Sequence, residues 1–193
     1  LTIGKTSNTT DITIGSAVSI AGPISVYGGD INVDANLNTT AGAAAGDVLL
    51  KASDNIVIDS ASITTDDGDV ILWANSTDND SGMVYAHDAV IQTGGGHLWI
   101  GGGAPDSTTW NGLTVGDGYA VGNADASNGF TLIDSTINTD GGDVAIYGKS
   151  RAGSPSFNIG IAATSGATNT NGIRLLEGNS IDSGAGTIYM KGI

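Results

Sequence analysis

At 193 residues the chain is long enough for one domain with a sizeable core, and 31 glycines against 3 prolines without a Gly-X-Y period exclude collagen and proline-rich linkers. A hydrophobic content of 39% excludes a disordered chain, and these residues, mostly Ile, Val and Leu scattered among Thr, Ser, Asn, Asp and Gly, are the vocabulary of β-structure. Six Lys and Arg against 20 acids give a net charge of −14, which repels nucleic acid and anionic membrane surfaces, and the absence of Cys excludes disulfides and thiolate metal sites.

Every acid except Glu177 is an aspartate, a residue that bonds to its own local backbone and favours turns over helices, so the charge is expected at turns. No stretch approaches the ~18 apolar residues of a membrane span, so no membrane insertion is expected. No signal peptide is present, and the chain opens on Leu1 without a methionine. It reads as a processed or excised piece of a longer protein, exported by sequence that lies elsewhere.

In chain order, the N-terminal stretch offers two short circuits of strands, one through Ile12, Val18 and Ile24 and one through Ile31, Leu37 and Val48. A longer unit then repeats four times. Asn55-Ile56 through Ile63 to Val70-Ile-Leu72 aligns with Gly82-Met83 through Ile91 to Leu98-Trp-Ile100, with Gly129-Phe130 through Ile137 to Val144-Ala-Ile146, and with Gly172-Ile173 through Ile181 to Ile188-Tyr-Met190. A glycine with apolar residues two and four positions after it recurs at Gly22, Gly29, Gly46, Gly68, Gly96, Gly142 and Gly186, each a turn feeding a strand.

Three apolar anchors about seven residues apart, separated by polar turns, suit a coil of three short strands. One such rung cannot shield its own inward side chains, so rungs must stack about 4.8 Å apart with like on like. The fold expected for residues 1–193 is therefore a single all-β domain. It is a right-handed parallel β-helix, or β-solenoid, of roughly six to seven three-strand rungs with two long insertions. The inward columns are Ile56, Met83, Phe130 and Ile173; Ile63, Ile91, Ile137 and Ile181; and Val70, Leu98, Val144 and Ile188. A two-sheet sandwich is the alternative, but it would show hairpin turns in place of a repeated three-anchor rung.

Equivalent glycines lie 22 residues apart from Gly46 to Gly68 and 28 from Gly68 to Gly96, then 46 to Gly142 and 44 to Gly186. The two wide intervals hold insertions, 101–128 and 148–171, that share a pattern. Ala104-Pro105, Gly112-Leu113 and Asn128-Gly129 in the first match Ser154-Pro155, Gly160-Ile161 and Asn171-Gly172 in the second. Insertions in solenoids gather on one edge and often carry binding.

Ile91-Gln-Thr93-Gly-Gly-Gly-His-Leu98-Trp-Ile100-Gly101 and Ile137-Asn-Thr139-Asp-Gly-Gly142-Asp-Val-Ala-Ile-Tyr-Gly148 are similar to repeats in filamentous-haemagglutinin-type bacterial exoproteins. Val70-Ile-Leu-Trp73-Ala-Asn-Ser and the Asp78-Asn-Asp80-Ser-Gly82 stretch share that flavour, and the resemblance covers roughly residues 46–193. It implies a secreted, extracellular protein of the bacterial cell surface that serves in adhesion, aggregation or biofilm. Its partner would be a glycan or protein of a host or neighbouring cell, or copies of itself. The family's amino-terminal secretion domain is not recognisable.

Alternation places Leu49, Ile71, Trp99, Ala145 and Tyr189 on the outer face of the third strand of each rung. With Trp110 from the first insertion, Ile71, Trp99 and Tyr189 are the candidate ligand-binding residues, an apolar and aromatic strip that stacks on sugar rings or docks a partner. The competing reading is that the insertions fold back and bury this strip as a second small core. Asp66, Asp67 and Asp69 in one turn, and Asp78 and Asp80 in another, are candidate calcium ligands, since calcium takes about six to eight oxygens. Neither the EF-hand nor the Gly-Gly-x-Gly-x-Asp spacing is present, and solvated turn capping competes; no other cofactor is expected. A β-helix enzyme acting on acidic polysaccharides would need clustered carboxylates beside a cation, whereas Arg151 and Arg174 are the only arginines and His87 and His97 the only histidines. A non-enzymatic stalk segment is expected, with a subunit stacking end to end into an extracellular fibre as the structural alternative.

Overall fold

Short runs that alternate Ile, Val or Leu with Thr, Ser or Asn suit strands with one face buried. In the computed structural model, which describes residues 1–40, 46–104, 108–124, 127–151, 159–162 and 171–193, such runs build three parallel sheets and, among the described residues, no helix. The first sheet stacks Ile12–Ile14, Ile31–Val33, Ile56–Asp59, Val84–His87, Phe130–Ile133 and Asn171–Leu176, with Ile159–Ala162 beyond the last. The second stacks Val18–Ser19, Leu37–Asn38, Ser62–Thr64, Val90–Gln92, Thr136–Asn138 and Ser180–Asp182. The third stacks Thr2–Ile3, Ile24–Gly28, Val48–Ala52, Val70–Trp73, Leu98–Gly101, Val144–Lys149 and Ile188–Gly192. Because the chain visits the three sheets in turn, each circuit is one rung of a parallel β-solenoid, and the 6-stranded second sheet counts six rungs.

Register pins like on like. Ile63, Ile91, Ile137 and Ile181 form one column and Val70, Leu98, Val144 and Ile188 another, as the anchor spacing requires. The first column differs by one residue from the sequence reading: Val84, not Met83, pairs with Ile56 and Phe130. Met83 sits at the corner before the strand, where its N–H donates to Asn55 Oδ1 at 3.0 Å, and it therefore belongs to a polar column through Asp11, Asp30 and Asn55. Inside, the aliphatic anchors of the middle rungs are fully buried. In the last rung Ile181 is half-buried and Ile188 exposed.

Each corner has its own chemistry. Between the first and second sheets the chain turns on one residue in the left-handed region, Ser60, Asp88, Asp134 or Glu177. Short polar side chains tolerate that conformation best, which is why aspartate recurs there. In three of these rungs the next residue is small and buried, Ala61, Ala89 or Ser135. Between the second and third sheets a hydroxyl turns inward. Thr39, Thr65 and Thr139 donate to the carbonyls of Gly46, Gly68 and Gly142 at 2.6, 2.5 and 2.5 Å, Ser183 donates to Gly186 at 2.8 Å, and Thr93 bonds Gly96 likewise.

The glycines of this corner meet backbone on backbone. A Cβ on Gly68 would lie 2.4 Å from the Gly46 carbonyl oxygen, one on Gly96 2.2 Å from that of Gly68, and one on Gly142 1.9 Å from that of Gly96. One residue on, a side chain of each rung accepts the backbone N–H of the next. Asp47 accepts from Asp69 at 3.0 Å, Asp69 from His97 at 2.7 Å, His97 Nδ1 from Asp143 at 2.8 Å and Asp143 from Thr187 at 2.7 Å.

The two insertions diverge despite their shared pattern. Asn128 and Asn171 do stack, Asn171 N–H donating to Asn128 Oδ1 at 2.9 Å. Leu113, however, lies in an antiparallel hairpin, whereas Ile161 lies in a strand parallel to Asn171–Leu176. Ala120–Val121 adds a further strand to the third sheet along Gly148 and Lys149. Ser154-Pro155 falls outside the described residues.

Gly142→Ala is expected to lower stability by about 3 kcal/mol, because neither backbone can retreat without breaking the ladder. Gly15→Ala, where nothing lies within 4 Å, is expected to stay within about 0.5 kcal/mol. Urea denaturation of the two variants checks the contrast, and equal losses would contradict it.

Candidate functional site

Outward side chains of the third sheet run in two neighbouring columns. Leu49, Ile71, Trp99, Ala145 and Tyr189 form one, and Tyr27, Lys51, Trp73 and Gly101 form the other, with Tyr147 and Lys191 further along it. Gly101 leaves room beside Trp99: a Cβ there would come within 2.6 Å of the indole ring. The first insertion then folds back over this surface. Thr109–Trp110 and Leu113–Thr114 pair antiparallel about Asn111 and Gly112, both left-handed at φ 46° and 82°, as a two-residue hairpin turn requires.

The hairpin and the segment after it seal most of the strip. Ile71, Trp73, Trp99, Val115 and Ala145 form a second buried cluster, with Leu49, Trp110, Leu113 and Tyr147 packed against it. Trp99 is 1% exposed and Ile71 9% exposed. Ile71 presents no free surface and Trp99 only the floor of a cleft, which corrects the reading of an open strip at these two positions. The physical reason is that four rungs of apolar groups facing water cost more than closing a short hairpin over them. Trp73 Nε1–H donates to the Gly103 carbonyl at 2.9 Å, and Asn111 Nδ2–H donates to Asp143 Oδ2 at 2.7 Å, so both edges of the cover are tied down.

The cover ends short of the last rungs. There a cleft of about 280 Å³ opens over Trp99, walled by Trp110, Asp117, Tyr119, Tyr147 and Lys191. Its aromatic groups form one chain: Trp73 to Trp99 at 6.1 Å, Trp99 to Tyr147 at 6.2 Å, Tyr147 to Tyr119 at 6.1 Å edge-on, and Tyr147 to Tyr189 at 5.6 Å. Trp110 packs edge-on against His97 at 5.6 Å. Of the four candidates, Trp99 and Trp110 line the cleft, Trp99 as its buried floor, while Tyr189, 49% exposed, lies outside the lining and touches it only through Tyr147. Tyr119 and Tyr147 were missed from sequence. The nearest signal is Asn111-Gly112 flanked by Trp110 and Leu113, which predicts the hairpin but does not mark the two tyrosines beyond it.

Electrostatics differ along this surface. Lys51 Nζ lies 3.5 Å above the Trp73 ring, and burial pushes its pKa down. Lys191 is exposed, 5.6 Å from the Tyr119 ring centre, and the Tyr119 side chain beside it raises its pKa. Burial, then the neighbouring Tyr189, raises the Tyr147 phenol, which remains neutral. The Thr187 backbone N–H and Asn111 hold the Asp143 carboxyl below its ordinary range.

The aspartates proposed for calcium do not converge. Asp69 is spent on the corner column, Asp80 pairs with Lys149 at 3.0 Å, and Asp67, Asp78 and Asp80 are left-handed turn residues. With Asp66 they form no group of three ligand atoms among the described residues. The group that does form is His87, Asp88 and Asp134, whose ligand atoms lie within 4.8 Å of one another at the corner between the first and second sheets. Asp59 bonds His87 Nδ1 there at 2.9 Å, and Asp88 Oδ2 lies 3.5 Å from Nε2, so the carboxylates raise the imidazole pKa, the Asp59 bond most of all.

No family model, curated protein or solved structure matches the chain.

Trp99→Ala is expected to cost about 3–5 kcal/mol, the range for emptying a buried aromatic site, as read by thermal or urea melting. For His87 the sign runs toward acid. A pKa raised on folding gives stabilisation that is complete below the unfolded value of about 6.5 and is lost as pH rises through the folded value. An NMR titration should place His87 above about 6.5, and Asp59→Asn should move it down; an unshifted midpoint in both proteins would contradict the pairing.

Proposed function

We propose that this solenoid is a non-catalytic segment of a secreted bacterial surface adhesin, a rod whose attachment to glycans of a host or neighbouring cell runs through the cleft beside its third sheet. One observation carries this reading: Tyr147, Tyr119 and Trp110 gather at one opening above the buried Trp99, on a surface rich in aspartates, hydroxyls and amides. Aromatic rings with polar tips suit sugars, whose C–H faces stack on the ring while their hydroxyls bond its edge. The similarity of the Ile-x-Thr-x-Gly-Gly rungs to filamentous-haemagglutinin-type repeats supports the adhesive setting. So does the stacked geometry, in which each rung adds about 4.8 Å of length and holds the cleft on a stiff support.

Catalysis is poorly served by the same cleft. Hydrolysis or elimination on a polysaccharide needs a paired acid and base, and Asp117 is the one carboxylate among the described residues of the lining.

Binding of the purified chain to a glycan array and to intact cells tests the reading. Tyr119→Ala, which removes a half-buried ring from the lining, should weaken binding by about fivefold to tenfold with little change in melting. Failure of the unmodified chain to bind any glycan or cell surface would overturn it.

A further inference from the structure

The geometry points to the ligand's chemical class: the cleft takes a sugar carrying a single anionic group, its ring against Tyr147 and Tyr119 and its anion on Lys191. This rests on the adhesive reading above and narrows it. At about 280 Å³ the space lies just below the ~300–1,000 Å³ range of drug-sized ligand sites, room for a sugar unit or two and not for a folded peptide. Tyr147 and Tyr119 stand nearly perpendicular, at 78°, offering a ring face and a ring edge to one bound unit.

The charges choose among sugars. The chain has only six Lys and Arg against a net charge of −14, and two of the lysines on or beside the third sheet are already engaged. Lys51 lies over Trp73 and Lys149 is paired with Asp80. Lys191 is the cation of the cleft, its neighbour is the Tyr119 side chain, and among the described residues no carboxylate comes within 4.0 Å of it. An ammonium held at a recognition cleft without a counter-charge leaves its strongest bond to the ligand.

Asp117 limits what that ligand can be. Its exposed carboxylate on the same lining accepts hydrogen bonds from sugar hydroxyls but repels an anion that has none to offer. A bare inorganic anion is thus disfavoured, and the acidic surface as a whole disfavours densely charged polymers. What fits is a mostly neutral glycan with an isolated carboxylate or sulfate.

The test compares matched glycans on one array: neutral, singly carboxylated, singly sulfated and densely sulfated. The singly charged forms should bind roughly tenfold or more tightly than the neutral form, with the carboxylate and sulfate arms showing which anion is meant. Lys191→Ala should remove that preference without lowering the melting temperature, and Lys191→Arg should keep it. Equal binding of neutral and singly charged forms, strongest binding of the densely sulfated form, or an unaltered Lys191→Ala protein would overturn the inference while the adhesive reading stood. No glycan bound at all would overturn both.

Discussion

At the corner between the second and third sheets, the backbone of one rung rests on the backbone of the next with no side chain between them. Glycine is the only residue that permits this, and the column through Gly46, Gly68, Gly96, Gly142 and Gly186 follows from it. Within the same turn the hydroxyl of a buried Thr or Ser bonds each glycine carbonyl, satisfying a group that would otherwise be an orphan inside the wall. The close approach also fixes the height of the next rung, and so the register of the inward anchors and the facing of every outward column. The aromatic surface on the third sheet is in this sense a product of the glycine corner.

Much of this was written plainly in the chain, because solenoid stacking turns three-dimensional neighbours into repeated letters. Ile91, Ile137 and Ile181 read as one column in sequence and are one in space. The slip at Met83 shows the limit of such reading. An apolar residue at a corner looks like an anchor until the hydrogen bond from its N–H to Asn55 places it in the polar column, and nothing in hydropathy separates Met83 from Val84. Repetition also misled at the insertions, where Gly112-Leu113 and Gly160-Ile161 match as letters but serve a hairpin in one case and a parallel strand in the other.

The outer face was half legible. Alternation correctly turned Ile71 and Trp99 outward, yet outward from a sheet is not the same as exposed, and the hairpin that decides the difference is a local feature outside the repeat. Tyr119 and Tyr147 gain their meaning only from where that hairpin stops. The aspartates read as calcium candidates do not gather into one group among the described residues. Asp69 accepts the N–H of the following rung, Asp80 pairs with Lys149, and Asp67, Asp78 and Asp80 are left-handed turn residues, so the five are spread over separate local uses.

The same hairpin has a mechanical side. In a ladder whose hydrogen bonds run along the axis, each rung holds only its neighbours, so a pull on the chain peels rungs one at a time from a free end. The hairpin breaks that rule. It lies over Leu49, Ile71 and Trp99 and is tied by Asn111 to Asp143, riveting four successive rungs from outside. Under load, the rungs outside the rivet are the first to give, so the wall of the cleft built on Lys191 loosens before the floor built on Trp99 does.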